Sequence, residues 1–157
     1  MQAEEKARRA GEGSAEVLAQ LHKVPGCENL TWNDVQIAST IFAVKPGDGS
    51  AREQAASCQR VLGAGANIVA EYATKRYRSN LINWGMLPLQ LVGATPFGLG
   101  DYVFIPNVRE ALKGDLQDIK AYVLGDTAKE FSLYMAPLTA DERKILADGC
   151  LINFYKH

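Results

Sequence analysis

The stretch Ile41–Gln54, IFAVKPGDGSAREQ, decides how the rest of the chain reads. Its first residues, Ile41, Phe42, Ala43 and Val44, are apolar and β-prone. Pro46-Gly47-Asp48-Gly49 then force a turn, and Ser50, Ala51 and Arg52 lead into an alanine-rich segment ending near Leu62. The pattern predicts a strand, a tight glycine loop and a helix. The carboxyl end of a strand, just before a helix, is where an α/β protein places chemistry. The first N–H groups of a helix lack intrahelical partners and carry partial positive charge, so an anion is well held there. Ser50 adds a hydroxyl to such a place, and Arg52 a fixed cation.

Working outward, Val35–Val44 reads as the full strand and Ala51–Leu62 as the helix, stopped by Gly63 and Gly65. Asn67–Glu71 is a short apolar strand. Thr74 caps a helix from Lys75 to Trp84, and Leu87–Leu91 is extended again. Strand, helix, strand, helix, strand in this order gives a parallel β-α-β core. Upstream, residues 2–10 suit a short charged helix and Ala15–Lys23 a second one capped by Ser14. Residues 1–33 thus form a helical lead-in. Downstream, a glycine-rich loop at Gly93–Gly100 precedes strands at Asp101–Pro106, Ile119–Leu124 and Ala128–Met135, with a turn or two of helix at Val108–Lys113. These later strands are closely spaced, which favours hairpins or a second layer. Thr139 with Glu142 three residues on is a capping-box pattern opening a last helix. Gly149 interrupts it, and an apolar end, Cys150–Tyr155, packs on the body. The fold class is α/β with additional antiparallel strands, in one domain over residues 1–157.

Composition removes several functions. The net charge of −1 gives no basic excess for nucleic acid. No apolar run approaches the roughly 20 residues needed to span a bilayer. The charged N-terminus lacks a signal-peptide core, so the expected location is cytoplasmic. Cys27, Cys58 and Cys150 lie far apart, without metal-ligand spacing; they read as free thiols, mostly buried, with Cys58 a small core residue. His22 and His157 have no triad partners in sequence. No nucleotide-binding glycine motif is present. Asp48 reads as a turn or N-cap aspartate, Asn80 as a side chain bonding backbone at a turn, and Lys75 and Arg78 as solvent-facing. Tyr72, Trp84, Phe104, Phe131 and Tyr134 read as core aromatics. On loop chemistry alone, Gly47–Ser50 is either a turn or the anion-binding nest of a non-catalytic α/β module.

Three segments in order, GDGSAREQAA (Gly47–Ala56), LGAGANIVAEY (Leu62–Tyr72) and RSNLINWGMLPLQL (Arg78–Leu91), resemble the C-terminal swivel domain of the aconitase superfamily. That family typically carries G-D/E-G-S-S-R-E-H-A-A, a Leu-Gly before a short apolar strand, and a T-N-L…G-L-L-P-L segment. The resemblance covers roughly residues 38–92. The tail, EFSLYMAPLTADERKILADGCLINFYK, resembles the hydratase branch of the family. The resemblance implies a swivelling β/β/α-type domain. It also implies stereospecific dehydration and rehydration of a hydroxy-carboxylic acid on a [4Fe-4S] cluster. Ser50 matches the serine that acts as base, and Arg52 the arginine that binds a substrate carboxylate. Gly49 belongs to the substrate-binding loop. Ala51 departs from the family's second serine, which puts citrate itself in doubt as substrate. Gln54 and Tyr77 stand where histidines are common. The cluster-binding cysteines lie in the family's other domains, and no R-G-H segment bearing a further substrate arginine is found. The implied chain binds no cluster or metal itself, is inactive alone, and completes its site with cluster-bearing domains or a large subunit.

Overall fold

The structure is a computed structural model and describes residues 2–156. Its centre is a parallel sheet of three strands, β1 (Ser39–Ala43), β2 (Ala64–Val69) and β3 (Leu87–Gln90), in that spatial order. The helical lead-in is α1 (Gln2–Arg9) and α2 (Ala15–Leu21), with Ser14 accepting a hydrogen bond from the Val17 amide. Between the strands run α3 (Arg52–Val61) and α4 (Lys75–Asn83). Then come β4 (Val103–Phe104), α5 (Val108–Ala111), β5 (Ile119–Val123) and β6 (Lys129–Leu133), the three strands forming an antiparallel sheet. Helices α6 (Ala140–Asp148) and α7 (Leu151–Phe154) close the chain. The sequence order of strands and helices is the one expected from the hydrophobic pattern, and the second layer of antiparallel strands is present.

The pleat of β2 separates three layers. Asn67 points toward α4, where it bonds the Tyr77 hydroxyl. Its neighbour Ile68 faces the other way, into a cluster with Ala121 and Leu133 of the antiparallel sheet, Met135, and Ile145 and Leu146 of α6. A smaller cluster of Ala56, Ala64, Tyr77, Leu81 and Met86 fills the helical side. Burying each large side chain such as Ile68 or Leu89, both about fully enclosed, contributes roughly 1.5–3 kcal/mol. A third cluster, Leu21, Val24 and Cys27 against Phe104, Tyr122 and Leu124, ties the lead-in to the antiparallel strands. The two sheets are joined by the Gln90–Tyr134 bridge, whose two amides each donate to the other's carbonyl, at 2.7 and 3.0 Å.

Strand β1 is shorter than Val35–Val44. The Ile37 amide donates to the Glu5 carboxylate (2.9 Å) instead of to a strand partner, and the register slips between Ser39 and Thr40. β2 starts earlier than Asn67, because Gly65 lets it approach β1: a Cβ there would stand 2.6 Å from the Ala38 Cβ. The capping box at α6 is formed in both directions by Thr139 and Glu142. No helix among the described residues is long and apolar enough to cross a membrane.

Four local expectations are corrected. Cys58 is exposed, since α3 turns only Ala56 fully inward, and of the three thiols only Cys27 is fully buried. Arg78 is half-buried, donating to the Pro137 carbonyl (2.8 Å) beside Glu142 and so tying α4 to the start of α6. Asn80 lies inside α4 rather than at a turn, and its side chain makes no hydrogen bond among the described residues. The N-cap position of α3 is Ala51, so Asp48 is a loop aspartate and not a cap.

Glu5 anchors α1. Its carboxylate accepts from Arg8 and Arg9 and from the Ile37 amide. The Arg8 hydrogen bonds, reinforced by the Ile37 amide and Arg9, hold its pKa down at about 2 against an ordinary 4.5. A depressed carboxylate stabilises the fold at pH values above the unfolded pKa, and that contribution is lost as pH falls from 4.5 toward 2. Glu5→Gln is expected to lower stability at pH 7 by about 1–3 kcal/mol. It is also expected to flatten the fall in stability between pH 5 and pH 2, read by denaturant unfolding at each pH.

Candidate functional site

The segment between β1 and α3, residues 44–51, lies at the carboxyl end of the parallel sheet. It is laid against the turn that follows β2. The Glu71 amide donates to the Val44 carbonyl (2.9 Å), the Ala73 amide to Pro46 (3.0 Å), and the Thr74 hydroxyl to Gly47 (2.9 Å). Lys45 and Glu71 add an exposed ion pair at 2.9 Å, worth little in water. Thr74 does two things at once, because its oxygen also accepts from the Tyr77 amide and caps α4.

Gly47 is required here twice over. Its φ is +95°, a left-handed value that L side chains avoid. A Cβ on it would also stand 2.5 Å from the Cβ and Cγ of Tyr77. Beyond Gly47 the loop leaves the body. Asp48, Gly49 and Ser50 are exposed, and nothing lies within 4 Å of where a Gly49 Cβ would point.

The loop then enters α3 without a cap. Ala51 has no side-chain oxygen to offer, so no side chain occupies the first-turn N–H groups. Arg52, the first helical residue, is half-buried. Its Nη2 reaches the Asp48 carbonyl at 3.4 Å, a long contact, and its Nε is buried without a partner. Among the described residues no carboxylate pairs with Arg52. Ser50 has an exposed hydroxyl with no hydrogen bond among the described residues. The structure therefore brings Gly49, Ser50 and Arg52 together on one short segment at a helix start. It leaves donors and a cation there with no anion from the described residues.

Four supporting residues were not singled out for this loop by sequence reasoning. Tyr77 lies beneath Gly47; its hydroxyl takes hydrogen bonds from Asn67 Nδ2 (2.9 Å) and Gln59 Nε2 (2.8 Å). Asn67 is completely buried in β2. Thr74 was legible as a helix cap but not as a loop anchor. The one available signal for Tyr77 was that it stands where the family often has a histidine, just before the third family-like segment; Asn67 lay within the second segment without being marked, and Gln59 gave no signal. Burial pushes the neighbouring Tyr72 phenol far up, so it stays protonated and donates to the Leu89 carbonyl (3.3 Å) rather than serving as a base.

No group of three or more His, Cys, Asp or Glu side chains able to hold a metal gathers among the described residues. Cys27 sits under the antiparallel sheet, Cys58 is exposed on α3 and Cys150 starts α7. This donor set does not fit an iron–sulfur cluster.

The geometry separates the two loop glycines. Gly47→Ala is expected to cost more than about 1 kcal/mol, from strain at positive φ plus the clash with Tyr77. Gly49→Ala is expected to stay within about 0.5 kcal/mol of the parent. Denaturant unfolding of the two variants checks the contrast.

Residues 20–93 match the model of the aconitase C-terminal domain. Aconitate hydratase A of Mycobacterium avium is 34% identical over 116 residues, which is 69% of this chain and 12% of that protein. The chain thus spans about one eighth of the length of this relative. The crystal structure of 3-isopropylmalate dehydratase from Methanocaldococcus jannaschii superposes with a TM-score of 0.57 at 30% identity, covering 82% of this chain and 69% of that one. Both similar proteins are named for adding or removing water at a carboxylic acid, and the order of layers here, helices, parallel sheet and antiparallel sheet, is the one the resemblance implied. The chain belongs to the aconitase C-terminal domain family.

Proposed function

We propose that this chain is the swivel domain of an aconitase-like hydro-lyase or isomerase, with Ser50 as base and Arg52 as carboxylate anchor. The observation that carries the reading is the exposed Ser50 hydroxyl on a glycine loop at an uncapped helix start, next to an arginine that no carboxylate pairs among the described residues. The substrate class is a small hydroxy-carboxylate.

Arg52 binds one carboxylate through its planar fork, and the free amides at the start of α3 and around Gly49 add donors. This orients the carbon beside the carboxylate toward Ser50. As an alkoxide, Ser50 Oγ takes the proton from that carbon, and the electron pair left behind forms the new C=C bond as hydroxide leaves the adjacent carbon. In the reverse direction Ser50 returns the proton. A serine hydroxyl is a weak base at its ordinary pKa, so its alkoxide needs stabilisation. Nearby N–H donors and the Arg52 charge supply it, as in an oxyanion hole.

The leaving hydroxyl needs an acceptor that this chain does not hold. In the reading implied by the family, that acceptor would be supplied by a [4Fe-4S] cluster held by other domains or by a large subunit. The chain is then inactive without them. Ala51, in place of a second serine, removes one hydrogen bond to an anion, worth about 1.5–3 kcal/mol where the partner is charged. That shifts the expected substrate away from the most highly charged acids.

Turnover of aconitate, 3-isopropylmalate and related hydroxy-di- and tricarboxylates by the native assembly tests this. Ser50→Ala is expected to lower kcat by about 10²–10⁴ with KM little changed. Arg52→Lys is expected to raise KM about tenfold or more, since a lysine cannot reproduce the paired hydrogen bonds. Full turnover in Ser50→Ala would refute the catalytic reading. It would favour the alternative of a non-catalytic module that binds a small anion at Gly47–Ser50.

A further inference from the structure

We propose that Tyr77 is a positioning residue for the Gly47–Ser50 loop, setting where Ser50 and Arg52 stand relative to each other. The inference rests on the catalytic reading of that loop.

The ring of Tyr77 is held at both ends. At its backbone end it belongs to the first turn of α4, where its amide donates to Thr74 Oγ1 (3.3 Å). At its far end the hydroxyl accepts from Asn67 on β2 and Gln59 on α3, at 2.9 and 2.8 Å. The residue is 3% exposed. One buried side chain therefore touches the central strand, both helices and the loop.

Two contacts transmit this to the site. Gly47 lies against Cβ, Cγ and Cδ1 of Tyr77, so the root of the ring sets the height of the loop. The Thr74 hydroxyl, one helical turn before Tyr77, fixes the Gly47 carbonyl at the same point. Ser50 is three residues beyond. Gln59 provides the second route. It lies seven residues after Arg52 on α3, two turns along the same helix face. Its bond to the Tyr77 hydroxyl sets the rotation of α3 about its axis, and hence the direction in which Arg52 leaves the helix.

The hydroxyl is the point of leverage. Asn67 Oδ1 and Gln59 Oε1 are already buried without partners. Tyr77→Phe keeps the ring under Gly47 but strips both amides of their remaining bond. Asn67, fully enclosed, is then left with no partner, and a buried amide in that state drives rearrangement of its surroundings. A misplacement of about 1 Å at a reacting group suffices to cost a hundredfold in rate.

The test uses the native assembly and two readouts. Loop hydrogen exchange is read at the Glu71 and Ala73 amides, which donate to the Val44 and Pro46 carbonyls of the loop segment, and steady-state kinetics follow the preferred acid of the panel above. Tyr77→Phe is expected to speed exchange in the loop about tenfold and to lower kcat by about ten- to a hundredfold with KM less affected. Thr139→Ala serves as the control, because it weakens the α6 cap and lowers the melting temperature without touching the loop. It is expected to leave loop exchange and kcat at parent values. Parent-level loop exchange and kcat in Tyr77→Phe would overturn the proposal, as would an equal fall of kcat in Thr139→Ala, which would mark the effect as general destabilisation. If Ser50→Ala retains full turnover, the catalytic reading fails instead, and loop exchange alone then decides whether Tyr77 holds the loop.

Discussion

Strand β2 is paired on both sides and buried on both faces, and this constraint organises the remainder of the chain. β1 and β3 both take their register from it, Thr40 to Ala43 against Ala66 to Val69 and Leu87 to Gln90 against Ala66 to Val69. Because all three run parallel, their carboxyl ends finish at one edge, and the three segments that follow them gather there. Two of those segments, 44–51 and 70–74, bond each other through three hydrogen bonds. The loop bearing Ser50 is thus set on a rigid sheet while its own tip stays open to solvent. Asn67 extends the same logic downward. A fully buried amide in a central strand is costly unless bonded, and the Tyr77 side chain whose hydroxyl accepts from Asn67 Nδ2 also lies, at its Cβ end, beneath the loop.

Much of this was legible in the sequence for local reasons. Pro46 and the flanking glycines could hardly continue β1, and an alanine-rich run behind them suited a helix. Thr74 and Thr139 announced helix starts through cap chemistry, and both side chains accept the expected amide. Other features depended on partners distant in the chain. Val35–Ala38 has strand-like composition, but Glu5, thirty-two residues away from Ile37, takes the amide that a strand would have used. Cys58 looked internal because cysteines usually are. Yet Ala56 is the one fully buried residue of α3, and even Val61 and Leu62 are left exposed. The bond of Tyr77 to Gln59 and Asn67 joins α4, α3 and β2, so no short-range pattern carries it.

The site itself divides the same way. Its loop, hydroxyl and arginine share one segment, so their proximity could be read from spacing alone. Their electrostatic state could not. That Arg52 has no carboxylate partner among the described residues is a tertiary fact, and with the uncapped start of α3 it supports the proposed anion site. The three scattered cysteines are consistent with the proposed binding and proton-transfer role of this chain, as distinct from a cluster-holding one.

The most direct test of that role is a crystal structure of the native assembly with a bound hydroxy-carboxylate. The quantity to measure is the distance from Ser50 Oγ to the carbon beside the carboxylate held by Arg52. The account predicts about 3–3.5 Å, near-attack geometry for proton transfer, with both carboxylate oxygens facing the Arg52 guanidinium. A substrate bound elsewhere, or one whose reacting carbon lies beyond reach of Ser50, would contradict it.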